Sequence, residues 1–393
     1  MSMADSPEKR FSDCFDFSSD LSLYIHVPFC ISKCAYCGFY SEPGCDASLI
    51  DSFTDKIVRE ISAVNEKRGH RPYDTAFIGG GNPGCLGPEN LGRIAQAVCE
   101  IGRPAEFSTE MNPESLDRRF FPLFGKYFTR LSMGVQSLDQ KALSFLGRNA
   151  DLEQTRRGLA LSQDLRKETG CVLNYDLITC LGPWHDALSD AREIVQGYAP
   201  EHMSVYALTL EEGTPLYRRN PDLPDSDEQY TILREVGSYL AANGYGHYEV
   251  SNYAKEGYRC VHNSRYWAYR QYMGLGPGAA STAFSADGKV TRINFRPSVR
   301  TWLEAGLFGG CDIEPLTETE ACEELVFMGL RHKAGLDLNR LEGMARRDID
   351  RERIRNLKGF REEGGFLVPD EDGLMTADAA ALELIGALSD HGR

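Results

Sequence analysis

The sequence predicts an α/β fold: a (β/α) barrel, complete or partial, followed by a small C-terminal α+β unit. Three observations predict it. Short apolar runs alternate with segments of helical periodicity from about residue 21 to 250, the pattern of βα units around a parallel sheet. Polar motifs fall where those runs end, the edge that carries the chemistry in α/β barrels and in open doubly wound sheets alike. The texture then changes after about residue 295.

The elements follow in order. Residues 1–20 form a polar extension, and 21–27 (LSLYIHV) a strand stopped by Pro28. A cysteine-rich loop runs from 29 to 45, and 49–65 has apolar residues at helical spacing. Strands are predicted at 74–78, 105–111, 130–135, 171–178 and 202–210, with another beginning at 248–251. Helices are predicted at 88–101, 138–146, 152–169, 187–198 and 226–243. This gives six to seven βα repeats within a unit spanning 21–295. Beyond it, 296–393 reads as a small unit with helices at 319–330, 338–346 and 348–362, a hairpin of 365–368 with 373–376, and a last helix from 378.

Composition narrows the function classes. Acidic residues outnumber basic ones 58 to 43, for a formal charge of −15, which opposes general nucleic-acid binding. No apolar run approaches the roughly eighteen residues of a spanning helix, and the first twenty residues lack the apolar centre of a signal peptide. The expectation is a cytoplasmic protein with at most peripheral membrane contact. Twelve cysteines in 393 residues are too sparse for a disulfide scaffold, so clustered ones are better read as metal ligands or reactive groups.

Cys30, Cys34 and Cys37 form C-x3-C-x2-C on one loop. Three thiolates can hold three irons of a cubane and leave the fourth open to a small molecule. Zinc is the alternative; it wants a fourth ligand, for which only Cys45 or His26 is near in sequence. Gly79-Gly80-Gly81-Asn82-Pro83 follows a predicted strand and allows close backbone approach, although alone it is an ordinary turn signal. Glu110 closes another strand, where a carboxylate can accept from sugar hydroxyls or simply face solvent. Arg148, in Leu146-Gly147-Arg148, suits bidentate recognition of a carboxylate. The acid run Glu211-Glu212 reads as a solvated face.

The stretch from Tyr24 through Cys37 to Phe39 resembles the radical S-adenosylmethionine (SAM) superfamily. More narrowly, it is similar to the anaerobic coproporphyrinogen III oxidase family and its heme-chaperone branch, and the likeness extends over roughly residues 21–393. The resemblance implies a partial (β/α) barrel of the radical SAM type. It also implies a [4Fe–4S] cluster on Cys30, Cys34 and Cys37, with SAM chelating the fourth iron and cleaved by one electron to a 5′-deoxyadenosyl radical. By the same resemblance, Tyr24, Tyr36, Gly81, Glu110, Gln136, Arg148, Asp176, Ala207 and Ala280 line the cofactor site. Asn82 stands where the family usually has Thr, in an element that contacts the methionine part of the cofactor.

The family usually has Gly-Leu-Pro-Gly-Gln after the Asp176 position, whereas here Cys180-Leu181-Gly182-Pro183-Trp184 follows. Oxidases usually carry a fourth cysteine two residues after the third and a longer N-terminal segment; here that position is Phe39, and twenty-three residues precede Tyr24. His262-Asn263-Ser264-Arg265-Tyr266-Trp267 matches the His-Asn-x-x-Tyr-Trp motif of the chaperone branch, in which His262 is an axial heme ligand candidate. The resemblance implies a heme chaperone that passes heme to an acceptor protein, a respiratory one for example, with flavodoxin or ferredoxin as electron donor. The runner-up is oxygen-independent coproporphyrinogen III oxidase, and a third reading is a radical enzyme acting on another tetrapyrrole.

Overall fold

Apolar and polar side chains alternate along the strands, and this period of two sorts the sheet into a helix-packed face and a polar interior. Leu23, Ile25 and Val27 are buried in the main apolar core, while Tyr24 points inward. Ser132, Asn174, Asp176, His202, Ser204 and Tyr206 obey the same parity and also face inward. The computed structural model describes residues 6–390 except 45, 347, 348, 350, 352, 353 and 355.

Six strands run parallel in chain order: β1 (Ser22–Val27), β2 (Thr75–Gly80), β3 (Glu106–Met111), β4 (Arg130–Gln136), β5 (Val172–Thr179) and β6 (His202–Ala207). The sheet continues at both sides. Beyond β6 lie two antiparallel strands, β7 (Gly246–Glu249) and β8 (Asn252–Ala254), with β8 next to β6. Beyond β1 lies β9 (Tyr272–Leu275), parallel to it, followed by antiparallel β10 (Ala280–Phe284), β11 (Val290–Phe295) and β12 (Cys311–Pro315). The strand order β12-β11-β10-β9-β1-β2-β3-β4-β5-β6-β8-β7 is linear, so among the described residues the curved sheet is an open, partial barrel.

Local chemistry starts and stops the helices. In α1 (Ala47–Arg68), Asp46 caps the first turn by accepting from Ser48 N and Leu49 N at 2.8 and 3.1 Å, a contact worth about 1 kcal/mol. Ile50, Phe53, Ile57, Ile61 and Val64 give α1 one buried apolar stripe. The short helix α2 (Gln140–Leu146) ends at Gly147 in the left-handed region and delivers Arg148. The helix α3 (Val261–Trp267) closes the inner end of the barrel. Glu106 holds its first turn, accepting from Val261 N at 3.1 Å and His262 N at 2.9 Å, and is itself paired with buried Arg130 at 3.3 Å.

The C-terminal part packs a second apolar cluster that includes Leu325, Val326, Leu341 and Leu367. Its sheet has the order β13-β15-β14, from β13 (Leu336–Asp337), β14 (Phe360–Glu363) and β15 (Phe366–Pro369). This corrects two expectations. The end of the helix expected at 348–362 is strand β14, and the hairpin pairs 360–363 with 366–369. The segment expected as the second hairpin strand, 373–376, is instead the last part of the short helix Glu371–Met375 and its C-cap. No helix among the described residues is long and apolar enough to cross a membrane.

Candidate cofactor site

The cysteine loop leaves β1 at Pro28 and is tethered at three places. Phe29–Cys30 pairs in parallel with Glu42–Pro43. Ala35 N donates to Leu146 O at 2.9 Å, and Leu216 N donates to Ala35 O at 2.8 Å. Tyr40 OH donates to Glu42 Oε1 at 2.5 Å and accepts from Val299 N at 3.0 Å. Held this way, Cys30, Cys34 and Cys37 are partly buried and line one cavity of about 520 Å³ at the C-terminal edge of the parallel strands.

Of the residues expected at the cofactor, Tyr36, Gly81, Glu110, Gln136, Arg148, Asp176 and Ala207 line this cavity with the three cysteines. Four others lie elsewhere. Tyr24 and His262 line an inner chamber of about 180 Å³ that shares Glu110, Asp176 and Tyr206 with the outer cavity. Asn82 is buried with its amide engaged: Nδ2 donates to Ser115 Oγ at 2.6 Å, and Oδ1 accepts from Gly84 N and Asn112 N at 3.1 and 3.3 Å. Ala280 begins β10, paired with Asn294 and outside both linings. Cys45 lies outside the described residues.

Sequence reasoning missed several lining residues. Asn112 accepts from Arg148 Nη2 at 3.1 Å, and Phe39, 69% exposed, stands at the rim. Glu211 lines the cavity too, with its Cγ 3.0 Å from where a Cβ on Gly38 would lie. The only signal for Glu211 was its position just beyond a strand end.

Burial pushes both inner acids upward. Burial, reinforced by Asp176, pushes Glu110 up to about 8, while its Oε2 accepts from Gly80 N at 3.1 Å. Burial also raises Asp176, against hydrogen bonds from Asn174 Nδ2 at 2.8 Å and Ser132 Oγ at 3.3 Å. His26 donates from Nε2 to Tyr40 O at 2.9 Å, so its Nδ1 accepts from Tyr24 OH at 3.0 Å. His262 is fully buried with both ring nitrogens engaged, Nδ1 to Thr75 Oγ1 at 2.8 Å and Nε2 to Tyr266 OH at 2.7 Å. Burial, followed by Arg265, lowers it to about 3, so the imidazole is neutral. Gln136 ends β4 with φ of +69°, a left-handed conformation that costs a non-glycine residue roughly 1–3 kcal/mol and is typical of functional strand ends.

The residues present fit an iron–sulfur cluster. A Cβ on Gly81 would lie 2.7 Å from Phe29 O and 3.1 Å from Cys30 Sγ, so the backbone there has been brought against a ligand sulfur. Arg148 Nη1 donates to Cys34 Sγ at 3.4 Å. Among the described residues no three His, Cys, Asp or Glu side chains converge on a point suited to one metal ion. A cubane instead takes each thiolate on a separate iron.

Comparison with known proteins agrees with this geometry. Residues 24–180 match the Radical SAM superfamily, whose cofactors are SAM and a [4Fe–4S] cluster. Over 310 residues the chain is 33% identical to the heme chaperone HemW of Escherichia coli (strain K12), covering 77% of this chain and 80% of that protein. It is 30% identical over 375 residues to the heme chaperone HemW of Mycobacterium tuberculosis (strain CDC 1551 / Oshkosh), covering 93% and 94% of the two chains. The solved structure of coproporphyrinogen III oxidase (HemN) from Escherichia coli shares the fold, with a TM-score of 0.77 at 19% identity over 96% of this chain and 93% of that one. The fold and the cysteine-lined cavity thus define the class, a radical SAM protein. Within that class, the chain belongs to the family of the heme chaperone HemW.

Proposed function

We propose that this protein is a heme chaperone that binds heme and passes it to an acceptor protein, a respiratory heme protein for example. The observation that carries the reading is the identity with heme chaperones along most of both chains. Phe39 supports it, because oxidases of the resembling family usually carry a fourth cysteine there. Cys30, Cys34 and Cys37 would hold the cluster. Tyr36, Gly81, Glu110, Gln136, Arg148, Asp176 and Ala207 would surround SAM. When bound, the pair supplies one-electron cleavage of a sulfonium C–S bond, with a flavodoxin- or ferredoxin-type protein as electron source. Around it, Glu110 offers a carboxyl to a polyhydroxyl partner, and the tethered loop fixes the thiolates. His262 becomes a heme ligand only after the Tyr266 hydroxyl leaves Nε2.

The test is one anaerobic experiment on the reconstituted chain. Heme is titrated in and followed by its Soret band, then an apo acceptor is added. In a parallel tube, coproporphyrinogen III, SAM and a reductant are supplied. The expected result is stoichiometric heme binding with transfer and no vinyl product. Stoichiometric protoporphyrinogen would make the protein a decarboxylase instead. C34A should lose the iron–sulfur absorbance; if it kept four irons per chain, the ligand assignment would fail.

A further inference from the structure

Arg148 touches more than the cavity. Its Nη2 donates to Gly134 O at 2.8 Å and to Asn112 Oδ1 at 3.1 Å, and these two oxygens fix the plane of the guanidinium. In that plane Nη1 donates to Cys34 Sγ at 3.4 Å. The backbone enforces the same meeting. Arg148 N donates to Leu143 O at 2.9 Å, and Ala35 N, the amide directly after Cys34, donates to Leu146 O at 2.9 Å. The end of α2 and the middle of the cysteine loop are therefore one hydrogen-bonded unit, with the cation on one side and the thiolate on the other.

A permanent cation and an N–H···S contact at one ligand sulfur favour whichever cluster state carries more negative charge, which is the reduced one. We propose that Arg148 is a positioning residue that sets the reduction potential of the cluster through Cys34, in addition to any contact with the SAM carboxylate. The guanidinium makes it easier for one electron from a low-potential donor to enter. The proposal rests on the cluster and not on heme binding.

The experiment omits SAM, so that a carboxylate contact cannot contribute. Anaerobically reconstituted wild type, R148M and R148K are titrated with a one-electron reductant and mediators, and the EPR signal of the reduced cluster is followed. R148M is expected to lower the midpoint. At the wild-type midpoint its ratio of reduced to oxidised cluster should fall about tenfold, equivalent to 59 mV for one electron. R148K keeps the charge without the planar fork and should fall between. An R148M midpoint equal to wild type, at four irons per chain, overturns the proposal. So does loss of iron from R148M alone, which would make Arg148 an assembly residue. If neither variant holds four irons, N112L is read instead. It removes one anchor of the guanidinium and should lower the midpoint less, and an unchanged value there overturns the proposal.

Discussion

Tyr266 OH stands 2.7 Å from His262 Nε2 and occupies the ring nitrogen that a heme iron would need. The other nitrogen is engaged with Thr75 Oγ1, so the motif helix presents a closed imidazole at the inner end of the cavity. Removing the hydroxyl uncovers Nε2. Y266F should therefore bind heme about tenfold more tightly, the roughly 1.4 kcal/mol scale of a competing hydrogen bond. H262A should lose the coordinated Soret band. Heme titrations in which both variants match wild type would remove His262 from the heme site.

Glu110 gives a pH signature. Its carboxyl is raised to about 8, by burial first and Asp176 second, so below that pH the cavity holds mostly the neutral acid. If the carboxylate receives hydroxyls of SAM, binding tightens as pH rises to about 8 and weakens about tenfold for each unit below it. E110Q should bind more weakly and with a flat profile. Equilibrium binding of SAM between pH 6 and 9 checks this, and a flat wild-type profile would show that the ionised form is not what binds.

The parts of the fold and site that were legible have a physical reason. Buried parallel strands are apolar on their outer face, and inward residues fall on alternate positions, so His202-Met203-Ser204-Val205-Tyr206 announces both a strand and a polar interior. The three cysteines stood out by their C-x3-C-x2-C spacing on one loop, Glu110 by its place near the end of β3, and Asp176 as an inward residue within β5. The C-terminal hairpin was misplaced because Gly364 and Gly365 make its turn, with φ of +58° and +87°, inside a charged stretch that mimics helical spacing. Glu211 was missed because a loop brings it in, four residues past β6, and no periodicity marks which loop residue turns toward a cavity; Asn112 directly follows β3 but was read only as the turn that ends it. Asn82 was expected at the cofactor, but Ser115, thirty-three residues on, takes its amide.

Gly81 carries a steric prediction. Any side chain there meets Phe29 O, Val27 O and Cys30 Sγ within 3.1 Å, and the first two are backbone that cannot swing away. G81A should reconstitute with less iron than wild type, because the strand that presents Cys30 is pushed outward. G125A is the control, since nothing lies within 4 Å of a Cβ at that position. Iron and sulfide counts after reconstitution distinguish the two; equal counts would mean that the loop yields without losing its ligand.

Glu60 and Lys56 tie α1 to the segment after Trp302, and their burial makes stability depend on pH. Glu60 is fully buried; Oε1 accepts from Phe308 N at 2.9 Å and Oε2 has no partner. Lys56 Nζ lies 3.8 Å from Oε1 but donates to the carbonyls of Trp302, Ala305 and Gly306. Burial is the largest influence on Glu60, and despite Lys56 it raises the group from 4.5 to about 7. The folded chain thus holds this proton where the unfolded chain releases it. The stability it contributes is present below about pH 4.5 and lost as pH rises through about 7. E60Q retains an acceptor for Phe308 N and cannot ionise, while the three carbonyls keep the lysine solvated. Its stability should lack that decline and exceed wild type at pH 8 by about 1 to 2 kcal/mol, less than the full shift converts to because the amide leaves an unpartnered donor. Denaturant unfolding at pH 5 and pH 8 measures the difference. A loss of stability in E60Q at pH 8 would mean that Lys56 needs the carboxylate charge more than the carbonyls.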